Sequence, residues 1–212
     1  MPKVLITAGA TRERIDPVRF ISNDSSGRQG YAIAKTFSDN GHEVVLVSGF
    51  ADIEPPEDVK LINVESAEQM LVACLDQLPC DIFIAAAAVC DFKPKEIAAN
   101  KIKKQTDINE MTLHLVKNPD ILKTVANHKK RPQIVIGFAA ETENLIENAK
   151  VKLESKGCDF IIANNVAEGV FGSKDNEVSI ISKNNVQRLP KMSKAGVALE
   201  VFEVIEESFK NE

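Results

Sequence analysis

The sequence predicts an α/β fold, Rossmann-like and doubly wound, with a mostly parallel sheet, an irregular flap and a late β-hairpin. Three observations carry this. Short runs rich in Val and Ile recur along the 212 residues, segments of helical periodicity separate them, and Gly41 and Gly157 stand where helices would stop. A first strand is expected at 4–7. It leads into a long insertion at 12–24, and the first helix falls only at 30–40, closed by Gly41. Strands follow at 43–48 and 60–64, then a helix at 67–78 and a strand at 81–86. Residues 92–110 break the alternation: they are polar and carry Lys101-Ile102-Lys103-Lys104. Structureless stretches beyond about 12–15 residues are uncommon in compact domains unless functional or disordered, so this one reads as an exposed flap. The alternation resumes with a helix at 119–127, a strand at 133–138, a helix at 142–155 and a strand at 159–164. Segments 177–182 and 186–189 flank Lys183-Asn184-Asn185 as an antiparallel hairpin at one sheet edge, and a helix at 194–209 ends the chain. Six apolar runs suffice for a doubly wound sheet, and residues 1–212 are expected to form a single domain.

Composition narrows the function classes. The net charge is -5, with 26 Lys and Arg scattered along the chain, so nucleic acid is not an expected partner. No apolar stretch approaches the roughly 18 residues that span a bilayer, and the opening MPKVLITAG runs straight into a strand pattern, so no membrane association and a cytoplasmic location are expected. Cys74, Cys80, Cys90 and Cys158 lack CxxC spacing and are expected as reduced thiols. His42, His114 and His128 are dispersed, and no set of metal ligands is legible.

Two stretches could bind an anion. Thr7-Ala8-Gly9-Ala10-Thr11 stands where a dinucleotide fold places its phosphate loop, but without the expected glycine spacing. Ser25-Ser26-Gly27-Arg28-Gln29-Gly30 leads directly into a helix, offering backbone N–H groups and the positive end of a helix dipole; ordinary turn and cap residues are the alternative. Lys152 and Lys156, four apart on one helix, share a face and form either a surface pair or a grip on phosphates. On pattern alone the KIKK run is a solvated charge cluster, Asp91 a loop-capping carboxylate and Phe138 a core residue.

The block ITAGATRERIDPVRFISNDSSGRQG closely resembles that of the phosphopantothenoylcysteine synthetase (phosphopantothenate–cysteine ligase) family, bacterial type. Further matches run in order through AAAAVCDFKP, NKIKK, VKNPDIL, IGFAAETENL, AKVKLESKGCDFIIANNV and LPKMSKAGVA. The resemblance implies a ligase of coenzyme A biosynthesis that joins 4'-phosphopantothenate to L-cysteine through an acyl-cytidylate made from CTP, with Mg²⁺. It implies nucleotide contacts from Gly9, Ala85, Ala86, Ala87, Asp91, Lys101, Asn118, Pro119, Asp120, Ile121, Leu122, Phe138, Lys152 and Lys156. Lys103 and Lys104 are weaker choices. Arg19, Asn23, Ser25, Ser26, Gly27 and Ala88 are implied at the substrate and acyl intermediate. Lys101 is expected to serve the first half-reaction from an active-site flap, and Asn23 to steady oxygen charge during amine attack. Asp24 stands where relatives often carry a basic or polar residue. The family is dimeric, so a homodimer is expected, with part of the acyl site drawn from the partner. With Met1 only two residues before the first strand, the fused decarboxylase half and its flavin are expected to be absent. The competing classes are an NAD(P)-dependent Rossmann oxidoreductase, against which stand the missing GxGxxG and a single tyrosine, Tyr31, and a non-catalytic nucleotide-binding module.

Overall fold

The computed structural model describes residues 1–103, 110–141, 143–165, 175–176 and 178–210. In chain order, β1 (Lys3–Ala8) runs into a hairpin of β2 (Arg12–Asp16) and β3 (Arg19–Ser22), followed by α1 (Arg28–Asp39), β4 (Glu43–Ser48) and β5 (Lys60–Asn63). Then come α2 (Ala67–Asp76), β6 (Ile82–Ala85), a second small hairpin of β7 (Phe92–Pro94) and β8 (Leu115–Lys117), and α3 (Ile121–Ala126). The chain continues through β9 (Ile134–Glu141), α4 (Leu145–Lys156), β10 (Phe160–Asn165), β11 (Asp175–Asn176), β12 (Val178–Ser182), β13 (Val186–Arg188), β14 (Met192–Ser193) and α5 (Lys194–Lys210).

The main sheet has eight strands in the order β13-β12-β10-β9-β6-β1-β4-β5. From β5 to β10 every pairing is parallel, whereas β12 and β13 are antiparallel additions at one edge. The six parallel strands thus stand in the spatial order 3-2-1-4-5-6 of a doubly wound sheet, as the sequence predicts. Side chains alternate across each strand. Val4, Ile6, Ile82 and Ile84 pack with Ile33 and Phe37 of α1 and Val201 and Ile205 of α5. Leu5, Phe83, Val135 and Ile161 point the other way, to Met70 and Cys74 of α2, Val125 of α3 and Leu153 of α4. Each such side chain, fully buried, is worth about 1.5–3 kcal/mol of transfer free energy, so both sheet faces need their helices.

The structure departs from the sequence-based expectation at four places. The long insertion at 12–24 is mostly a hairpin, β2 with β3. The expected flap begins as a strand, since Phe92 to Pro94 pair with Leu115 to Lys117. The strand expected at 133–138 runs on to Glu141, and the helix expected at 119–127 is shorter. Both hairpins lie outside the main sheet, so their side chains lack the buried alternation by which strands are recognised. The late hairpin forms between β12 and β13; Glu177, Thr142 and Lys104, along with the rest of 104–109, lie outside the described residues.

One close contact sets how α1 sits on the sheet. A Cβ on Gly30 would lie 2.5 Å from the Cβ of Ala8 and 3.2 Å from its Cα. Gly30→Val is therefore expected to push α1 off β1 and destabilise the fold by about 3 kcal/mol, at the upper end of overpacking costs. Thermal unfolding monitored by circular dichroism checks this. Gly196→Ala, whose Cβ would have the Met192 side chain nearest, at 3.2 Å or more, is expected to be nearly neutral.

Candidate active site

Strand order reverses beside β1, where β4 and β6 leave in opposite directions, and the carboxyl ends of the strands open into a crevice there. Beyond Ala8 the main chain turns at Gly9 and then bridges to both sides. Ala10 exchanges hydrogen bonds with Phe50, its N–H donating at 3.0 Å and its carbonyl accepting at 2.8 Å. On the other side, the Ala88 N–H donates to the Gly9 carbonyl at 2.8 Å, and the Thr11 N–H to the Ala88 carbonyl at 3.2 Å. Gly9, with φ 73°, is a glycine for packing: a Cβ there would meet the Phe50 carbonyl oxygen at 2.8 Å. Gly27, the N-cap of α1 with φ 75°, makes no side-chain cap bond, and a Cβ on it would lie 3.0 Å from the Cα of Gly9. The positive end of α1 therefore sits against the end of β1, flanked by exposed Asn23 and Ser26 and half-buried Ser25.

Next to this lies a cleft of about 450 Å³. Ala85 and Ala87 form part of its wall; Asp91, Asn118, Pro119, Asp120, Ile121 and Leu122 form another; Phe138, Lys152 and Lys156 close it. These eleven are the residues that the resemblance assigns to nucleotide, apart from Gly9, Ala86 and Lys101. The β7–β8 hairpin fixes the second wall: the Asn118 N–H donates to the Asp91 carbonyl and its Nδ2 to the Cys90 carbonyl, both at 2.8 Å. The Oδ1 of Asn118 is buried without a partner among the described residues, an acceptor left for a donor.

The cleft is cationic in character. Lys152 donates from Nζ to the Phe138 carbonyl at 2.8 Å, and burial, then the neighbouring Lys156, lowers its pKa from the ordinary 10.5. Lys156 pairs with Asp120, which also caps α3 by accepting from the Lys123 N–H at 3.0 Å. Burial opposes the charge of Asp120, yet the bond from Lys156, the Lys123 N–H and the charges of both lysines hold its pKa below the usual value. A half-buried ammonium beside a second one is poised to gain from an anionic ligand.

The remaining sequence-predicted residues lie outside the cleft lining. The Ala86 N–H donates to the Thr7 carbonyl at 3.1 Å, and Ala88 is bonded to Gly9 and Thr11. Arg19 is paired with Asp16, while Lys101 and Lys103 are exposed. The Phe138 side chain packs against the core cluster of α1 and α5, as its pattern predicts, and its carbonyl faces Lys152. The lining also includes Val89, Cys90, Phe92 and Lys117, which sequence reasoning did not assign, and Thr7, which it named only within the possible anion stretch. Lys117 stands within the VKNPDIL block, and that membership was the available signal. Among the described residues no three His, Cys, Asp or Glu side chains gather as a metal cage, and no helix is long and apolar enough to cross a membrane.

Residues 1–209 match the family model described as the DNA/pantothenate metabolism flavoprotein C-terminal domain. The coenzyme A biosynthesis bifunctional protein CoaBC of Borreliella burgdorferi is 44% identical over 205 residues, covering 96% of this chain and 52% of that protein. The CoaBC of Haemophilus influenzae is 45% identical over 206 residues, covering 96% and 51%. This chain thus spans about half the length of the curated relatives it matches. Among solved structures, the C-terminal domain of CoaBC has a TM-score of 0.84 at 39% identity and covers 100% of this chain and 97% of that one. A Cab2 mutant in complex with phosphopantothenate-cysteine shares the fold, with a TM-score of 0.80 at 20% identity over 99% of this chain and 87% of that one. The chain belongs to the family of the DNA/pantothenate metabolism flavoprotein C-terminal domain, to which the C-terminal half of CoaBC is the similar part.

Proposed function

We propose that this chain is a phosphopantothenate–cysteine ligase that uses CTP. The observation that carries the reading is the half-buried Lys152 beside Lys156 in the cleft at the strand ends. The carboxylate of 4'-phosphopantothenate attacks the α-phosphorus of CTP, the P–O bond to pyrophosphate breaks, and an acyl-cytidylate forms. The amine of L-cysteine then attacks the acyl carbon, CMP leaves with the C–O bond pair, and the amine proton is lost as the amide forms. Such transfers depend on positioning and on offsetting negative charge, which Lys152, Lys156 and Lys101 supply. Mg²⁺, bound mainly by the phosphates and its own waters, would need few protein ligands; Asp91, an exposed carboxylate in the cleft lining, fits that need, and the ion would offset triphosphate charge. Membership of a family whose similar proteins are named for coenzyme A biosynthesis supports the reading, as does the phosphopantothenate-cysteine bound by the Cab2 relative.

The acyl group lies toward Asn23, Ser25, Ser26 and Gly27, where the uncapped start of α1 favours an anion. The chain works as a homodimer in the cytoplasm. Support for the dimer comes from Val18, Phe20 and Phe50, exposed apolar side chains beside the β2–β3 hairpin, with the Arg12 guanidinium 3.4 Å from the Phe50 ring centre. A redox dinucleotide gains no observation here, because Gly9 is covered by the Gly49–Phe50 main chain.

Three outcomes test the proposal. Lys101→Gln should slow pyrophosphate release roughly 10- to 100-fold while leaving turnover of preformed acyl-cytidylate intact; unchanged release removes Lys101 from the first step. Asn23→Asp should release pyrophosphate and accumulate acyl-cytidylate, with amide formation slowed by about 10²-fold; normal amide formation removes it from the second. The protonated Lys152 is the form that holds phosphates, so CTP affinity should be full below its lowered pKa and fall as pH rises through it, before the ordinary 10.5. Calorimetric titrations at increasing pH read this fall, and Lys152→Arg should move it out of range. A wild-type profile as flat as that of Lys152→Arg contradicts the assignment.

A further inference from the structure

We propose that Asp16 is a positioning residue that latches the strap carrying Lys101 to the hairpin carrying Arg19. Its two carboxylate oxygens do different jobs. Oδ1 accepts from the N–H groups of Val18 and Arg19, each at 2.9 Å, and so closes the turn between β2 and β3. Oδ2 accepts from Arg19 Nε at 3.0 Å and Nη2 at 2.5 Å, and from the N–H of Ile102 at 3.1 Å. The same Arg19 Nη2 donates to the Ile102 carbonyl at 3.1 Å. One ion pair therefore holds both polar main-chain groups of Ile102, the residue between Lys101 and Lys103. A second anchor, the Ala98 N–H donating to the Ile15 carbonyl at 3.0 Å, ties the same strap to the same hairpin.

The turn alone does not require an acid. Asn closes such turns as well as Asp, accepting the two N–H groups through its single amide oxygen. Its amide nitrogen, however, would then face Arg19 and the Ile102 N–H, a donor against donors. Only a carboxylate offers a second acceptor, so the strap and Arg19 are what demand Asp at this position. Burial fits the same division: the Asp16 side chain is 0% exposed and that of Arg19 41%, so the guanidinium spends its inner edge on the latch and keeps an outer edge for an anion. The carboxylate is held well below the usual carboxylate range, chiefly by the bond from Arg19 against the opposing effect of burial, with the three N–H groups adding to it. The link to catalysis rests on the ligase reading above; the latch itself does not.

The test has two arms on the full chain. In hydrogen exchange followed by mass spectrometry, Asp16→Asn should speed exchange in peptides covering 97–103 by about tenfold or more while peptides from β1 and α1 keep wild-type rates. Wild-type exchange at 97–103 overturns the latch. In the activity arm, Asp16→Asn should slow CTP-dependent pyrophosphate release about tenfold, yet cost less than about threefold when added to Lys101→Gln, because the latch acts through Lys101. Losses that add in full, or no loss, overturn the positioning role. Should Asp16→Asn fail to fold, Ile102→Pro removes the N–H donated to Asp16, though it also fixes φ there and restricts Lys101, and it should slow release at least as much; wild-type activity in that variant overturns the proposal. A wild-type chain that releases no pyrophosphate sinks the ligase reading instead, and the exchange arm still decides the latch.

Discussion

The pinning of Gly9 to Thr11 between Phe50 and Ala88 is the constraint from which the site follows. A strand that feeds straight into a helix would place its turn over the crevice, as dinucleotide folds do. Here β1 is extended by backbone bonds on both sides, so the chain leaves the sheet as the β2–β3 hairpin and returns only at Gly27. Thr11, fully buried, carries the constraint onward: its Oγ1 accepts from the Cys90 N–H at 3.0 Å, and the Cys90 carbonyl accepts from Asn118. A wall of the cleft is thus hung from the end of β1 by a short series of hydrogen bonds, each joining a side chain to a main-chain group.

Charge is distributed to suit that geometry. The chain as a whole is acidic, with a net charge of -5, yet Lys117, Lys152 and Lys156 face one cleft. Desolvating a lysine costs stability unless something compensates, and the Phe138 carbonyl and the pair of Lys156 with Asp120 do so only in part. On the proposed reading the balance falls to an anionic ligand. That is a common arrangement for phosphate sites, in which the empty protein holds cations at some cost and the anion removes the repulsion between them.

The main sheet was legible because its central strands are buried on both faces and read as runs rich in Val and Ile, and because Gly41 and Gly157, at φ 84° and 76°, do stop helices. The two small hairpins were not legible. Arg12 to Asp16 and Arg19 to Ser22 are held by pairing with each other, by Asp16 and by the Arg14–Glu65 ion pair, none of which leaves a periodic apolar signature. At the site, Lys152 and Lys156 were visible as a helix pair four apart, but their separate conditions were not: one is half-buried against a carbonyl, the other bound to Asp120. The motif around Asn23 pointed to substrate through resemblance alone. Asp16 gave no signal beyond that of a turn residue, since its partner Ile102 is 86 residues away.

The most direct test of the central claim uses the unaltered chain with 4'-phosphopantothenate, Mg²⁺ and CTP or ATP, without cysteine. The account expects pyrophosphate release that needs both phosphopantothenate and CTP, stops near one equivalent per chain as acyl-cytidylate stays bound, and continues when cysteine is added. Binding of CTP with no release under either condition would contradict it, and would make the cleft a nucleotide-binding site without this chemistry.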